Sequence, residues 1–186
     1  MSGYIGNDTD LVLPKSFNGQ SYKIADYAFY GYKKLTSVKI PNCVTGIGNY
    51  SFRGCSSLET ATIPDSVKSI GIGVYYGCVS LSDVKLSSNI KTIPDYTFNG
   101  CSSLQSISIP DGVTAIGNYA FNWCVSFKNV TFGKNVTDIG KFAFSNCKNF
   151  TTITIPDIIT KIGAYAFYNC TSLTEITLGN GITEIG

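Results

Sequence analysis

The chain has 186 residues, of which 44% are hydrophobic and 14% charged, with 14 basic against 12 acidic residues for a net charge of +2. That is enough chain for a sizeable core. It lacks the Lys/Arg cluster of a nucleic-acid or anionic-membrane surface, and it has no apolar run of about 18 residues for membrane insertion. Histidine is absent, which removes the commonest general base and neutral metal ligand and excludes Cys-His and Ser-His catalysis.

Met1 to Gly6 carries neither a basic stretch nor an apolar core, so this chain shows no signal peptide. From Leu11 to Ser37 runs "LVLPKSFNGQSYKIADYAFYGYKKLTS", a degenerate unit of 27 residues. Regular units of 23 residues follow, starting at Val38, Ala61, Val84, Ile107, Val130 and Ile153, without insertion or deletion. The first unit therefore carries an insertion of 4 residues (27 − 23). A partial copy, "ITLGNGITEIG", begins at Ile176. Self-similarity at such a period marks a solenoid, because one unit cannot bury its apolar face without its neighbours. The expected organisation is a single domain over 1–186: a degenerate N-terminal coil over 1–37, six repeats over 38–175, and a partial, truncated repeat over 176–186. Strand spacing of about 4.8 Å gives a rod on the order of 35 Å long for such an array.

Within each unit, positions 1 and 3 are apolar around a polar residue (Val38-Lys39-Ile40, Ile107-Ser108-Ile109). That is the signature of a short strand with one buried face. Pro-Asp or Pro-Asn then turns the chain, the Asp being expected to bond its own backbone. Val or Ile at position 7 and Ile at position 10 (Ile24, Ile47, Ile70, Ile93, Ile116, Ile139, Ile162, Ile185) predict a second strand. The glycine that usually follows predicts a tight bend. Next comes "NYAF" or a variant, with Phe29, Phe52, Tyr75, Phe98, Phe121, Phe144 and Phe167 in one column. Asn49, Asp95 and Asn118 stand just before it, as a cap for one helical or 3₁₀ turn would.

The pattern L-x-x-I-x-I-P-x-x-V-x-x-I-G-x-x-A-F-x-x-C resembles the BspA-type leucine-rich repeat with its 23-residue units, as in "IPDGVTAIGNYAFNWC" and "SLTEITLGNGITEIG". The resemblance covers essentially the whole chain. It implies a leucine-rich-repeat solenoid, a right-handed coil of short parallel β-strands with brief helical, 3₁₀ or loop segments on the opposite side. It also implies a surface-exposed or secreted protein that adheres to extracellular-matrix, plasma or other cell-surface proteins. The repeat motif holds no catalytic residues.

Six of the seven cysteines (Cys55, Cys78, Cys101, Cys124, Cys147, Cys170) share position 18. A residue repeated once per coil builds a ladder, whereas an active site needs one unique constellation. Spacings of 23 without histidine lack the C-x₂₋₄-C pairs of metal sites. A redox role or a disulfide between neighbouring coils stays open, and Cys43, alone at position 6, is the expected exposed thiol. Asp65, Asp111 and Asp157 share a turn column, with no carboxylate pair for acid/base work. Six Asn-x-Ser/Thr sequons, at Asn7, Asn49, Asn129, Asn135, Asn149 and Asn169, follow from an Asn- and Thr-rich composition. No catalytic, cofactor or metal residue is expected.

A functional surface should instead be the strand-lined face. Its outward columns are Lys39, Thr62, Lys85, Ser108, Thr131, Thr154 and Thr177, and Ser37, Thr60, Asp83, Ser106, Asn129, Thr152 and Glu175. Trp123, the single tryptophan, stands where other units have Gly or Asn and is a candidate exposed contact. The expectation is a non-enzymatic binding or adhesion module of a larger cell-surface or secreted protein. The alternative is a passive spacer that presents another domain. The last coil lacks a polar cap, so either a fragment or end-to-end self-association is expected.

Overall fold

A computed structural model describes residues 7–186; residues 1–6, read above as part of the degenerate coil, lie outside the described residues. Sixteen short strands, β1 to β16 in chain order, alternate along eight coils. The odd strands begin each coil: β1 (Asp10–Val12), β3 (Ser37–Lys39), β5 (Thr60–Thr62), β7 (Asp83–Lys85), β9 (Ser106–Ser108), β11 (Asn129–Thr131), β13 (Thr152–Ile155) and β15 (Glu175–Leu178). The even strands follow the turn: β2 (Tyr22–Ile24), β4 (Val44–Ile47), β6 (Ser69–Ile70), β8 (Thr92–Ile93), β10 (Ala115–Ile116), β12 (Asp138–Ile139), β14 (Lys161–Ile162) and β16 (Glu184–Ile185). Every strand pairing is parallel, and between regular units the register joins residues 23 apart, as in Ile93, Ile116 and Ile139.

The insertion in the first coil closes on itself. Phe17 and Gln20 exchange both backbone hydrogen bonds, at 2.9 and 3.0 Å, around Asn18-Gly19. Both turn residues have positive φ, 50° and 74°, which is the type I′ geometry that an Asn-Gly pair favours.

The "NYAF" segment contains no helix, and its donors show why. In the fourth coil the N–H groups of Tyr96, Phe98 and Gly100 donate to Asn118, Ala120 and Asn122 of the next coil. Those of Thr97, Asn99 and Cys101 turn back on Pro94, Tyr96 and Phe98 of their own coil. Alternate donors are thus committed to the neighbour, and a helical ladder would withdraw them. The expected cap does not form either. Asp26 Oδ1 instead accepts the backbone N–H of Asn49 at 2.7 Å, and Asn118 Oδ1 that of Lys141 at 2.8 Å. The turn aspartates act alike: Asp65, Asp111 and Asp157 accept from Ser88, Lys134 and Asn180 of the next coil, not from their own turns. Polar columns therefore join coils to one another.

Glycine after the isoleucine column has a different reason from the one expected. Gly48 does not have positive φ. A Cβ there would lie 2.5 Å from the Asp26 nitrogen and 2.6 Å from the Ala25 carbonyl carbon. Close approach of the coils excludes a side chain.

Inside the rod, the aromatic column stacks from Phe29 to Phe167 with centroid separations of 5.0 to 5.7 Å and near-parallel planes. The isoleucine column is buried from Ile24 to Ile162. At the last coil Ile176, Leu178 and Ile185 hold core positions and are 43, 47 and 61% exposed. Tyr75 is the one hydroxyl in the aromatic column. It is fully buried, and its Oη has no hydrogen-bond partner. An unpaired buried hydroxyl costs about 1–3 kcal/mol. Tyr75→Phe is accordingly expected to raise stability by about 1–2 kcal/mol in urea unfolding; a loss would show that the hydroxyl is satisfied in solution.

The stack is also less continuous than its sequence. The even strands form one sheet of β2, β4 and β6 and another from β8 to β16. At every other junction the residue after the isoleucine donates to the coil before it, as Gly71 does to Ile47 and Gly117 to Ile93. In the fourth coil that residue is Pro94, which has no N–H to offer Ile70. The odd strands pair only two by two: β1 with β3, β5 with β7, β9 with β11 and β13 with β15.

Candidate functional site

The odd strands place the residues of the expected binding face as the alternation requires. Lys39, Thr60, Thr62, Asp83, Lys85, Ser106, Ser108, Asn129, Thr131, Thr152, Thr154, Glu175 and Thr177 are all exposed, and Ser37 is half-buried. Between them Val38, Ala61, Ile107 and Ile153 are buried. Side chains alternate across a strand, so burial of one set dictates exposure of the other. The face is unbroken in side chains although its backbone is four separate two-stranded ladders.

Two depressions mark this face between the second and fifth coils. One open depression of ≈ 460 Å³ is lined by Asp65, Asp83, Lys85, Ser106, Ser108 and Pro110, among others. A second of ≈ 500 Å³, lined by Asn42, Thr62, Pro64 and Ser66, shares Asp65 and Lys85 with it. Both charge signs are therefore present within one shallow groove. Asp65 accepts the N–H and the hydroxyl of Ser88 at 2.8 and 2.9 Å. These bonds, the backbone one first, hold its carboxyl below the usual range.

The cysteine column points the other way, into the core. Cys55, Cys78, Cys101, Cys124, Cys147 and Cys170 donate to the carbonyls of Phe29, Phe52, Tyr75, Phe98, Phe121 and Phe144 at 3.1 to 3.3 Å. All seven cysteines are free thiols. Burial pushes Cys55 up to about 12, and Cys78, Cys101, Cys124 and Cys147 well above the ordinary thiol value. A thiol that keeps its proton is neither nucleophile nor metal ligand. Cys43 is half-buried, its Sγ 3.5 Å from the Pro14 carbonyl oxygen, and is the most accessible of the seven. Among the described residues no group of three or more Cys, Asp or Glu could hold a metal ion.

Trp123 is 49% exposed and lies on the turn segment rather than on the strands. The backbone has positive φ throughout its column: Gly31, Gly54, Gly77 and Gly100 at 69 to 75°, Asn146 and Asn169 at 59 and 57°, and Trp123 at 60°. Gly and Asn suit that conformation, and a bulky side chain pays for it. Lys148 Nζ lies 5.8 Å from the indole centroid, a contact of modest worth at an exposed site. Trp123→Asn is expected to gain about 1 kcal/mol in urea unfolding; a loss would mean that ring packing outweighs backbone strain.

A second aromatic column escaped sequence reading. Tyr27, Tyr50, Tyr96, Tyr119, Phe142 and Tyr165, all with positive φ, occupy the position two before the inner rings. They stack where neighbours permit: Tyr27 on Tyr50 at 5.5 Å, Tyr96 on Tyr119 at 5.0 Å and Phe142 on Tyr165 at 4.9 Å. Gly73, also at positive φ, interrupts the column in the third coil. A glycine inside a tyrosine column was the signal available in the sequence.

With this geometry in view, comparison with known proteins is informative. The model for the BspA type leucine rich repeat region matches residues 22–119 and 91–186. A leucine rich repeat protein of T. pallidum superposes with a TM-score of 0.73 at 27% identity, covering 99% of this chain and 76% of that one. A leucine-rich repeat protein from Eubacterium ventriosum gives 0.80 at 29%, covering 90% of this chain and 44% of the other. The match thus spans less than half of the second relative. Pneumococcal vaccine antigen PcpA shares the fold, at 0.67 and 17% identity over 96% of this chain and 63% of its own. No curated protein matches the chain.

Proposed function

This chain belongs to the BspA-type leucine rich repeat family, and from that premise we propose that it is a non-enzymatic protein-binding module of a larger cell-surface or secreted protein. Its ligand is an extracellular-matrix, plasma or other cell-surface protein, bound on the strand-lined face. The observation that carries this reading is the contrast between columns. Buried columns repeat one residue type down the rod, as a stack requires. The exposed strand columns are polar throughout yet vary from coil to coil, and they surround the groove that holds Asp65, Asp83 and Lys85. Solenoids present extended surfaces of this kind to partners. The location at a cell surface is supported by the family resemblance. No helix among the described residues is long and apolar enough to cross a membrane.

The test is surface plasmon resonance of the chain over immobilised matrix and plasma proteins. Binding is expected, and Lys85→Glu or Asp83→Lys should weaken it by about tenfold, chiefly through the association rate. No binding to any of them would favour the spacer reading. Binding that ignores both substitutions would move the site off this face.

A further inference from the structure

Arg53 is the one arginine in the chain, and it is held in a cage. Its guanidinium carbon lies 4.6 Å from the ring centroid of Tyr76 and 5.5 Å from those of Tyr30 and Tyr50. Two ion pairs are present among the described residues, Lys134 with Asp111 and Lys161 with Glu184, and neither involves Arg53. We propose that the turn side of the first three coils binds an acidic segment of a partner protein, with Arg53 receiving an Asp or Glu side chain between the tyrosines.

Departure from the repeat is the first argument. In coils four to six the column of Arg53 is closed and polar, with Asn99, Asn122 and Ser145 buried, and in coil seven it is the exposed Tyr168. In the first three coils it becomes Tyr30, Arg53 and Tyr76, with Tyr30 exposed and the other two half-buried. The neighbouring column breaks at the same place. A methyl group at Gly73 would run into the ring of Tyr50, so the missing side chain is what allows that ring to lie where it does. Tyr27 stacks on Tyr50 and is itself 51% exposed. The guanidinium and the break in the tyrosine column fall in adjacent coils, and with one arginine in the chain the constellation is not repeated along the rod.

Chemistry selects the occupant. A guanidinium presents five donors in a fixed plane, matched to a carboxylate in bidentate fashion. Contact with three rings restrains the guanidinium before the ligand arrives, which lowers the entropy cost of binding. Tyrosine and arginine are the residue types that anchor protein interfaces. Gly31 donates its N–H to the Arg53 carbonyl at 2.7 Å, and the exposed Lys33 and Lys34 follow it in the chain. One guanidinium and two lysines suit one or two carboxylates. They do not form the cationic track that a sulfated glycan or nucleic acid needs. This surface lies on the turn segments, so it stands independently of the strand-face reading.

A sole arginine makes the test direct, because the side-chain Nε–H of Arg53 gives a single signal in a nitrogen-proton correlation spectrum. The full chain is titrated with the acetylated, amidated tetrapeptide Phe-Glu-Glu-Phe and with its Phe-Gln-Gln-Phe counterpart. A saturable shift with the acidic peptide, at a dissociation constant on the order of 1 mM, is expected, with none from the amide version. Arg53→Lys, which keeps the charge but loses the planar fork, and Tyr76→Ala, which opens the cage, should each weaken binding about tenfold. The strand-face variant Lys85→Glu should leave it unchanged. Absence of a shift, an equal response to the amide peptide, or tighter binding of a sulfated disaccharide would each overturn the proposal.

Discussion

Phe121→Ala is expected to destabilise the chain by about 3–5 kcal/mol, the range for removing a buried aromatic ring. Phe121 is fully buried, between Phe98 at 5.3 Å and Phe144 at 5.1 Å, with Phe127 tilted against it at 5.5 Å. The substitution removes both inter-coil contacts of that ring at once. Each coil touches only its neighbours, so the loss should also split the urea transition, separating the coils before Phe121 from those after it. Phe121→Leu serves as the comparison. It keeps most of the volume and forfeits the ring geometry, worth about 0.5–1.5 kcal/mol for each pair beyond burial. A change below about 1 kcal/mol for Phe121→Ala would show that the column does not hold the rod together.

The second large effect is alkaline unfolding driven by the thiol ladder. Burial raises the titration of Cys55 to about 12 and of Cys78, Cys101, Cys124 and Cys147 well above the ordinary value of 9.0. Below pH 9 both folded and unfolded thiols are protonated, and the stability contribution is fully present. Above it the unfolded chain releases protons that the folded chain retains, so stability falls as pH rises toward the folded values. Each such thiol contributes a slope of about 1.4 kcal/mol per pH unit, and the four most buried together about 5. A stability of about 5–15 kcal/mol would be consumed within two or three units. Circular dichroism and thiolate absorbance, followed together under reducing conditions, should change in a single cooperative step above pH 9. Thiolate that appears gradually while the fold persists would mean that the ladder is open to solvent. Cys101→Ala should reduce the slope by one thiol's share.

Much of the scaffold was legible because stacking writes one constraint eight times. Ile24 to Ile162 and Cys55 to Cys170 each repeat at the same spacing, and both columns are buried as that regularity implies. Exposure of Lys85 or Ser108 followed from strand alternation alone. What escaped was everything decided between coils. Asp65 and Asn49 read as local turn and cap residues, since a local partner is the nearest one in sequence; their oxygens bond the following coil instead. Gly48 read as a bend, whereas the obstacle to a side chain is the backbone of Ala25 and Asp26. The Arg53 cage was illegible for a related reason. Tyr30, Arg53 and Tyr76 are 23 residues apart in turn, and nothing in one unit says that its neighbours complete a site.

By itself, then, the sequence determined the period, the number of coils and which columns face inward, because apolar periodicity within a unit is set by local chain geometry. The tertiary structure alone decided how the coils are joined. It put positive φ at tyrosines such as Tyr96 and Tyr119, where stacking on the adjacent ring and a hydrogen bond to the next coil offset the local strain. It interrupted the even-strand sheet at Pro94, and it gathered three coils around Arg53. Those outcomes depend on contacts between residues one repeat apart, and such contacts exist only once the coils have stacked.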